Sequence, residues 1–512
     1  MSDGRESSSF LSFEFLDDFW NPILVKEVRQ ALRGRFFRVS FVLVLAALLI
    51  ACAAMIIDMG TTVSSHEGRD FFFGIFVCLS AAVMGLVPFA AFNSMGAEWE
   101  ENTFELLVIS NLRPNRILIG KLLSAWTQSL LYFSAFTPFL VFAFLLRGID
   151  LGVVGVMLIT AQVGSVALSI LAIFLSTLSK QRFVRIVLMA ILSGALILAV
   201  IGVSVMTEGL LRRPGELRDR DFWLGCGASM IAIGTVASFC FLAACNMLAH
   251  SEENRSTGLR ILSCVVLLIM MVFVGLMMNL RADRSALSGT SIMMIVCMLV
   301  PGTFFATEAE RLGRRVRPRI PRTQLISTLV APWLPGGSRG LILFSGQLLL
   351  IVLFSSAGHL LLLGPADRWA DEGCLGVILA ALYAFFYVAL PSGLCSKNTG
   401  SLRLRSMVRA SVPFLIMALA FGPALLGFFV KDVDLMNMEH PGNPFYFISE
   451  TFDHNGRWMI TVALVLGIPA ALTLIANLPR ISRGFREIAD ARLARLAHEA
   501  ATEPETYGAS ES

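Results

Sequence analysis

Charge-free apolar runs of about twenty residues recur along this chain, and nothing else constrains its fold so tightly. The first, VSFVLVLAALLIACAAMII, spans 39–57. A hydrocarbon core roughly 30 Å thick needs about 20 consecutive apolar helical residues. Inside it the backbone must satisfy its own hydrogen bonds, which leaves helices or closed barrels. Twelve such runs occur: 39–57, 71–93, 122–146, 152–177, 186–206, 222–247, 261–280, 288–306, 341–363, 374–395, 410–430 and 458–478. The expected fold is therefore an all-α polytopic membrane protein of about twelve transmembrane helices. Composition agrees: 56% of the 512 residues are hydrophobic and 15% charged, against about 45–50% and about 25% in soluble domains. No large soluble domain fits between the runs. The run at 39–57 lies too far in and is too long for a cleaved leader, and reads as a retained first span.

Lysine and arginine predict the orientation. With the N-terminus inside, 30 of the 41 basic residues fall in inner segments and 11 in outer ones. Both termini are expected in the cytoplasm and the chain in the plasma (cytoplasmic) membrane. One outer segment, 207–221, carries four arginines and four acids. It reads either as a folded external turn or as a misdrawn span.

None of the twelve runs contains Asp, Glu, Lys or Arg. Such residues are kept inside membranes where ions or protons must bind, so an ion-coupled carrier has little to work with. His359 lies within a run and reads as a packed polar residue. The nine cysteines are scattered, without a CxxC pair or a Cys/His cluster, so neither a zinc site nor a disulfide framework is expected. Gly336-Gly337-Ser338-Arg339-Gly340 matches G-x-S-x-G. A nucleophile elbow needs a strand before it, whereas here a membrane run follows, so the stretch reads as a glycine-rich entry to a span. No Walker A loop occurs, and the chain is not expected to bind or hydrolyse ATP itself.

The segments between runs carry more. Before the first run, Trp20, Leu24, Val28 and Leu32 recur every four residues, with Lys26, Arg29, Arg33 and Arg35 elsewhere. Asn21 can cap and Pro22 open a helix. The segment reads as an amphipathic helix in the cytoplasmic interface, the alternative being a basic flank that only sets orientation. The loop 307–340 is basic, ERLGRRVRPRIPR, and suits anionic lipid, an acidic partner surface or orientation alone. After the last run, Ile481, Phe485, Ile488 and Leu496 lie among mixed charges. That stretch reads as a solvated helix, with a docked one as the alternative.

The richest segment is Glu98–Lys121, EWEENTFELLVISNLRPNRILIGK. Asn102 can cap a two-turn helix and Glu105 complete a capping box. Phe104, Leu107 and Val108 then share one side. A helix this short needs packing to hold it. Its apolar side suits a groove on another protein or a position against lipid. Pro114 restarts the chain as the first turn of the next helix.

This segment resembles the permeases of type-2 ATP-binding-cassette exporters. Their segment after the second span reads E-x-x-x-G-T-x-E-L-L, then a threonine or serine, a leucine-proline turn and I-x-x-G-K. Here those places hold Glu98, Thr103, Glu105, Leu106, Leu107, Ser110, Leu112, Pro114, Ile117, Gly120 and Lys121, with Asn102 where glycine is usual. The N-terminal NPILVKEVRQALRGRFF is similar to the interfacial helix that opens such permeases. The resemblance covers about 20–250, and no second copy of the element occurs in 251–512. It implies a cytoplasmic N-terminus with interfacial helix (1–38), a six-span permease-like unit (39–250), six further spans (251–478) and a cytoplasmic helix and tail (479–512).

It also implies that Glu98, Thr103, Glu105, Leu106, Leu107 and Ser110 couple to a separate cytoplasmic ATPase, which would hold ATP and magnesium. Pro114, Gly120 and Lys121 would form the turn into the third span. A homodimer or a sister permease is expected, within a lipid bilayer and without nucleic acid. Two other readings remain, a membrane scaffold or assembly factor of an ATPase complex and a twelve-span secondary carrier. An enzyme is not expected.

Overall fold

The computed structural model describes residues 22–58, 65–100, 114–145, 149–178, 181–248, 254–281, 284–310, 312–313, 316–362, 372–397, 412, 416 and 456–502. Among them the chain is helical between short turns, and ten helices are long and apolar enough to cross a membrane. The protein is an integral membrane protein built of helices. Those ten coincide with ten of the twelve predicted runs. The run 410–430 falls outside the described residues but for 412 and 416, and 458–478 forms the first half of a longer helix. The chain divides into two compact units, Met1–Ala249 and His250–Ser512.

In the first unit α1 (Pro22–Arg33) turns at Gly34 into α2 (Arg35–Asp58). The helix α3 (Ser65–Ser80) continues through a π turn, Ala81–Leu86, into α4 (Val87–Glu100). Then follow α5 (Pro114–Leu145), α6 (Leu151–Thr177), α7 (Arg182–Arg212) and α8 (Arg220–Leu248). The α3–α4 span is the hub. Of its most apolar stretch 61% is buried, against 11% for each of α2 and α7. Phe72, Phe76 and Leu79 of α3 pack with Tyr132 and Phe136 of α5 in the main core.

Without a hydrophobic force between helices in lipid, close approach depends on small residues and interhelical hydrogen bonds. Helix α6 supplies both: Ala161, Ser165, Ser169 and Ala172 are buried at near four-residue spacing. A side chain at Gly164 would run into Met84 of the π turn. A π turn widens the helical ring and frees a carbonyl from the usual ladder. The Val83 carbonyl accepts from Ser165 Oγ at 2.8 Å.

The charged segment 207–221 is a folded turn, and both flanking spans form. A 3-10 turn, Pro214–Arg218, joins α7 to α8. Arg212 pairs with Glu208 at 2.6 Å and Arg213 with Glu216 at 3.7 Å, so much of its charge is neutralised locally.

The second unit holds α9 (Thr257–Arg281), α10 (Arg284–Ala306), the short α11 (Gln324–Val330), α12 (Gly337–Leu362), α13 (Glu372–Lys397) and α14 (Gly456–Thr502). Helices α10, α12 and α13 pack mutually, and α14 lies along α13. At 1.5 Å per residue, the 47 residues of α14 reach about 70 Å, more than twice a hydrocarbon core. Its second half is docked, where the sequence favoured a solvated helix. Phe485, Ile488 and Ala491 cover Leu312, Val316, Ile320 and Leu334 in a separate small core. Those residues share one face and the chain before α12 folds under it, whereas Leu493 and Leu496 further along stay exposed.

Candidate functional site

The segment singled out by sequence begins on described ground. Glu98 lies in the last turn of α4, although its side chain is not described. Thr103, Glu105, Leu106, Leu107 and Ser110, like Asn102 and Leu112, lie outside the described residues. Pro114 is the first residue of α5, as predicted, and Ile117, Gly120 and Lys121 are buried on its first turns.

A lysine 3% exposed needs a partner, because an ammonium taken out of water unpaired is costly. Lys121 Nζ lies 3.4 Å from Glu27 Oε2 on α1. The N-terminal helix is thus packed on the start of α5 with an ion pair at the seam. Pro22 is its first residue and Arg29 and Arg33 face outward, which fits the amphipathic helix predicted there. A cleft of about 350 Å³ opens between α1, the start of α2, α4 and the start of α5, lined by Phe36, Phe37, Asn93, Ser94, Lys121 and Gln128. Its polar lining comes from Asn93, Ser94, Ser124, Gln128 and the Lys121–Glu27 pair, an arrangement that can seat a polar group.

A second constellation was missed by sequence reasoning. In the second unit three arginines and three glutamates surround the turn into α12. Gly336 has φ +139, a conformation that side-chain-bearing residues rarely adopt. Its carbonyl accepts from Arg260 Nη2 at 2.9 Å, and Arg260 Nη1 also donates to the carbonyls of Pro332 and Leu334. The same guanidinium, wholly buried, pairs with Glu308 at 2.6 Å. Glu308 accepts from the Gly336 amide at 3.2 Å.

Glu310 closes the other side. It accepts from the Ser338 amide and hydroxyl, both at 2.8 Å, placing a carboxylate on the first turn of α12 where the helix dipole favours it. Glu310 also holds Arg480 of α14, which donates on to the carbonyls of Ser392 and Ala306. Arg339 reaches Glu487 at 3.4 Å, and Glu487 accepts from the Leu312 amide at 3.0 Å. A side chain at Gly340 would overlap the Phe305 backbone, and one at Gly337 would overlap Arg480. The glycines of the G-x-S-x-G stretch therefore serve close packing, and Ser338 is a helix-cap donor on a carboxylate. The signals available in sequence were Glu308 and Glu310 just past one apolar run and Arg480 just past another.

No family model matches the chain, and no curated protein and no solved structure matches it. His359 shares a hydrogen bond of 3.1 Å with Ser288, the packed polar role expected of it. Among the described residues no group of His, Cys, Asp and Glu is arranged to hold a metal ion, and the described cysteines are free thiols.

Proposed function

We propose that this chain is the membrane-spanning permease subunit of an ATP-driven exporter, moved by a separate ATPase that docks on residues 103–110. The reading rests first on the motif from Glu98 to Lys121. The observation that carries it further is the buried Lys121–Glu27 pair. It ties the residue that ends the motif to the amphipathic helix at the N-terminus. A push on the segment between Glu100 and Pro114 then reaches α4 and α5 through the backbone and α1 through the pair. Closure of an ATPase dimer against such a segment would switch the spans between two packed arrangements.

On this reading ATP and magnesium belong to the partner, both termini face the cytoplasm, and a second copy or sister permease completes the pathway. The charge-free spans favour an amphipathic or lipid-like cargo. The test is co-purification of the tagged chain in mild detergent, beside a Glu105→Arg, Leu107→Asp double variant. A Walker A protein and ATP hydrolysis are expected with the wild type and lost with the variant. An ATPase bound equally by both would remove the segment from the interface. Absence of any ATPase from both would overturn the reading in favour of a scaffold or carrier.

A further inference from the structure

Helix α11 is not a span, yet it presents a row of large apolar side chains outward. Leu325 is 77% exposed, Ile326 48% and Leu329 65%. They lie at i, i+1 and i+4, on one face of the helix. The opposite side is anchored: Ser327 is buried and Val330 packs on the small core beneath α14. The exposed row is therefore fixed outward by the fold and is not a frayed end.

Three further features say what covers it. The chain passes from α11 through a 3-10 turn, Ala331–Trp333, and the short turn at Leu334–Gly336 into the apolar helix α12. That connection keeps α11 within a few residues of a span end. Two arginines are exposed in the chain ahead of the helix, Arg322 two residues before it and Arg317 in the preceding 3-10 turn, and Thr323, Gln324 and Thr328 are its exposed polar residues. The turn that leads on to α12 is clamped by Arg260 and Glu308, so α11 is held close to the start of α12.

We propose that α11 is an interfacial anchor. Its Leu325–Ile326–Leu329 face enters the acyl boundary of an anionic leaflet, while Arg317 and Arg322 meet the phosphate headgroups. An apolar helix face with basic residues in the chain beside it is what such a surface selects. Each arginine near an anionic leaflet raises partitioning roughly fivefold. The inference is independent of any ATPase partner.

The test uses the full-length protein in nanodiscs, with a genetically encoded environment-sensitive fluorophore at position 329 or, as the polar-face control, at 328. Discs contain phosphatidylcholine alone or mixed with phosphatidylglycerol, with and without brominated acyl chains. At 329 the expected result is a blue-shifted emission, quenched several-fold more than at 328 and more strongly with phosphatidylglycerol. Arg317→Gln with Arg322→Gln should abolish that lipid dependence, and Arg317→Lys with Arg322→Lys should retain it. A 329 probe that emits as in water in both lipids overturns the proposal. So does a probe shielded only at high protein density without bromine quenching, which marks contact with a second copy. Quenching indifferent to phosphatidylglycerol and to both arginines overturns the anionic selectivity.

Discussion

Arg260 shows how a charge comes to be buried in this protein. It is wholly enclosed, and its guanidinium is spent on one carboxylate and three carbonyls of a single turn. Planar donors in a fixed fork suit such a clamp better than an ammonium would. Removing one partner of a buried pair is costly because the other charge is stranded. Glu308→Ala should therefore lower stability by about 3 kcal/mol, read as the unfolding midpoint in detergent. Adding Arg260→Met should recover part of the loss, because no charge is then left stranded. Simple additivity of the two losses would show that the pair is not coupled. Neither Arg260 nor Glu308 was legible as a site in the sequence. They are 48 residues apart, and Glu310 and Arg480 are 170 apart, separations at which no local pattern operates. Lys121 was legible through its motif, but its partner Glu27 lies 94 residues away and came only with the fold.

At the scale of elements, the π turn between α3 and α4 does work that an ordinary helix could not. It frees the Val83 carbonyl for Ser165 inside the most buried span. Ser165→Ala should cost about 1 kcal/mol through loss of that interhelical bond. Ser134→Ala is the control, because Ser134 donates only within its own helix on an exposed face, and should stay within about 0.5 kcal/mol. Equal effects would mean that the π-turn bond contributes nothing of its own. The spans were readable because a charge-free twenty-residue run has few other solutions in lipid. The small elements 312–336 were not readable, because their order comes from α14 packing over them and not from any periodicity of their own. The stripe Ala161, Ser165, Ser169, Ala172 was present in the sequence, but an uncharged small residue in an apolar run is silent until its neighbour is known.

At the scale of the whole molecule, the chain consists of two helical units, each with its own buried polar feature near the ends of its spans. In the first, an ion pair joins the N-terminal helix to the start of α5. In the second, six charged side chains fasten α14 to the turn that opens α12. The central claim is that the segment after α4 receives an ATPase. The most direct measurement places a photo-activatable amino acid at Leu107 in cells and identifies what it captures. The account predicts a covalent adduct with a Walker A protein, lost when Glu105→Arg is added. Adducts with lipid alone, or with the ATPase equally from a site on α8, would contradict it.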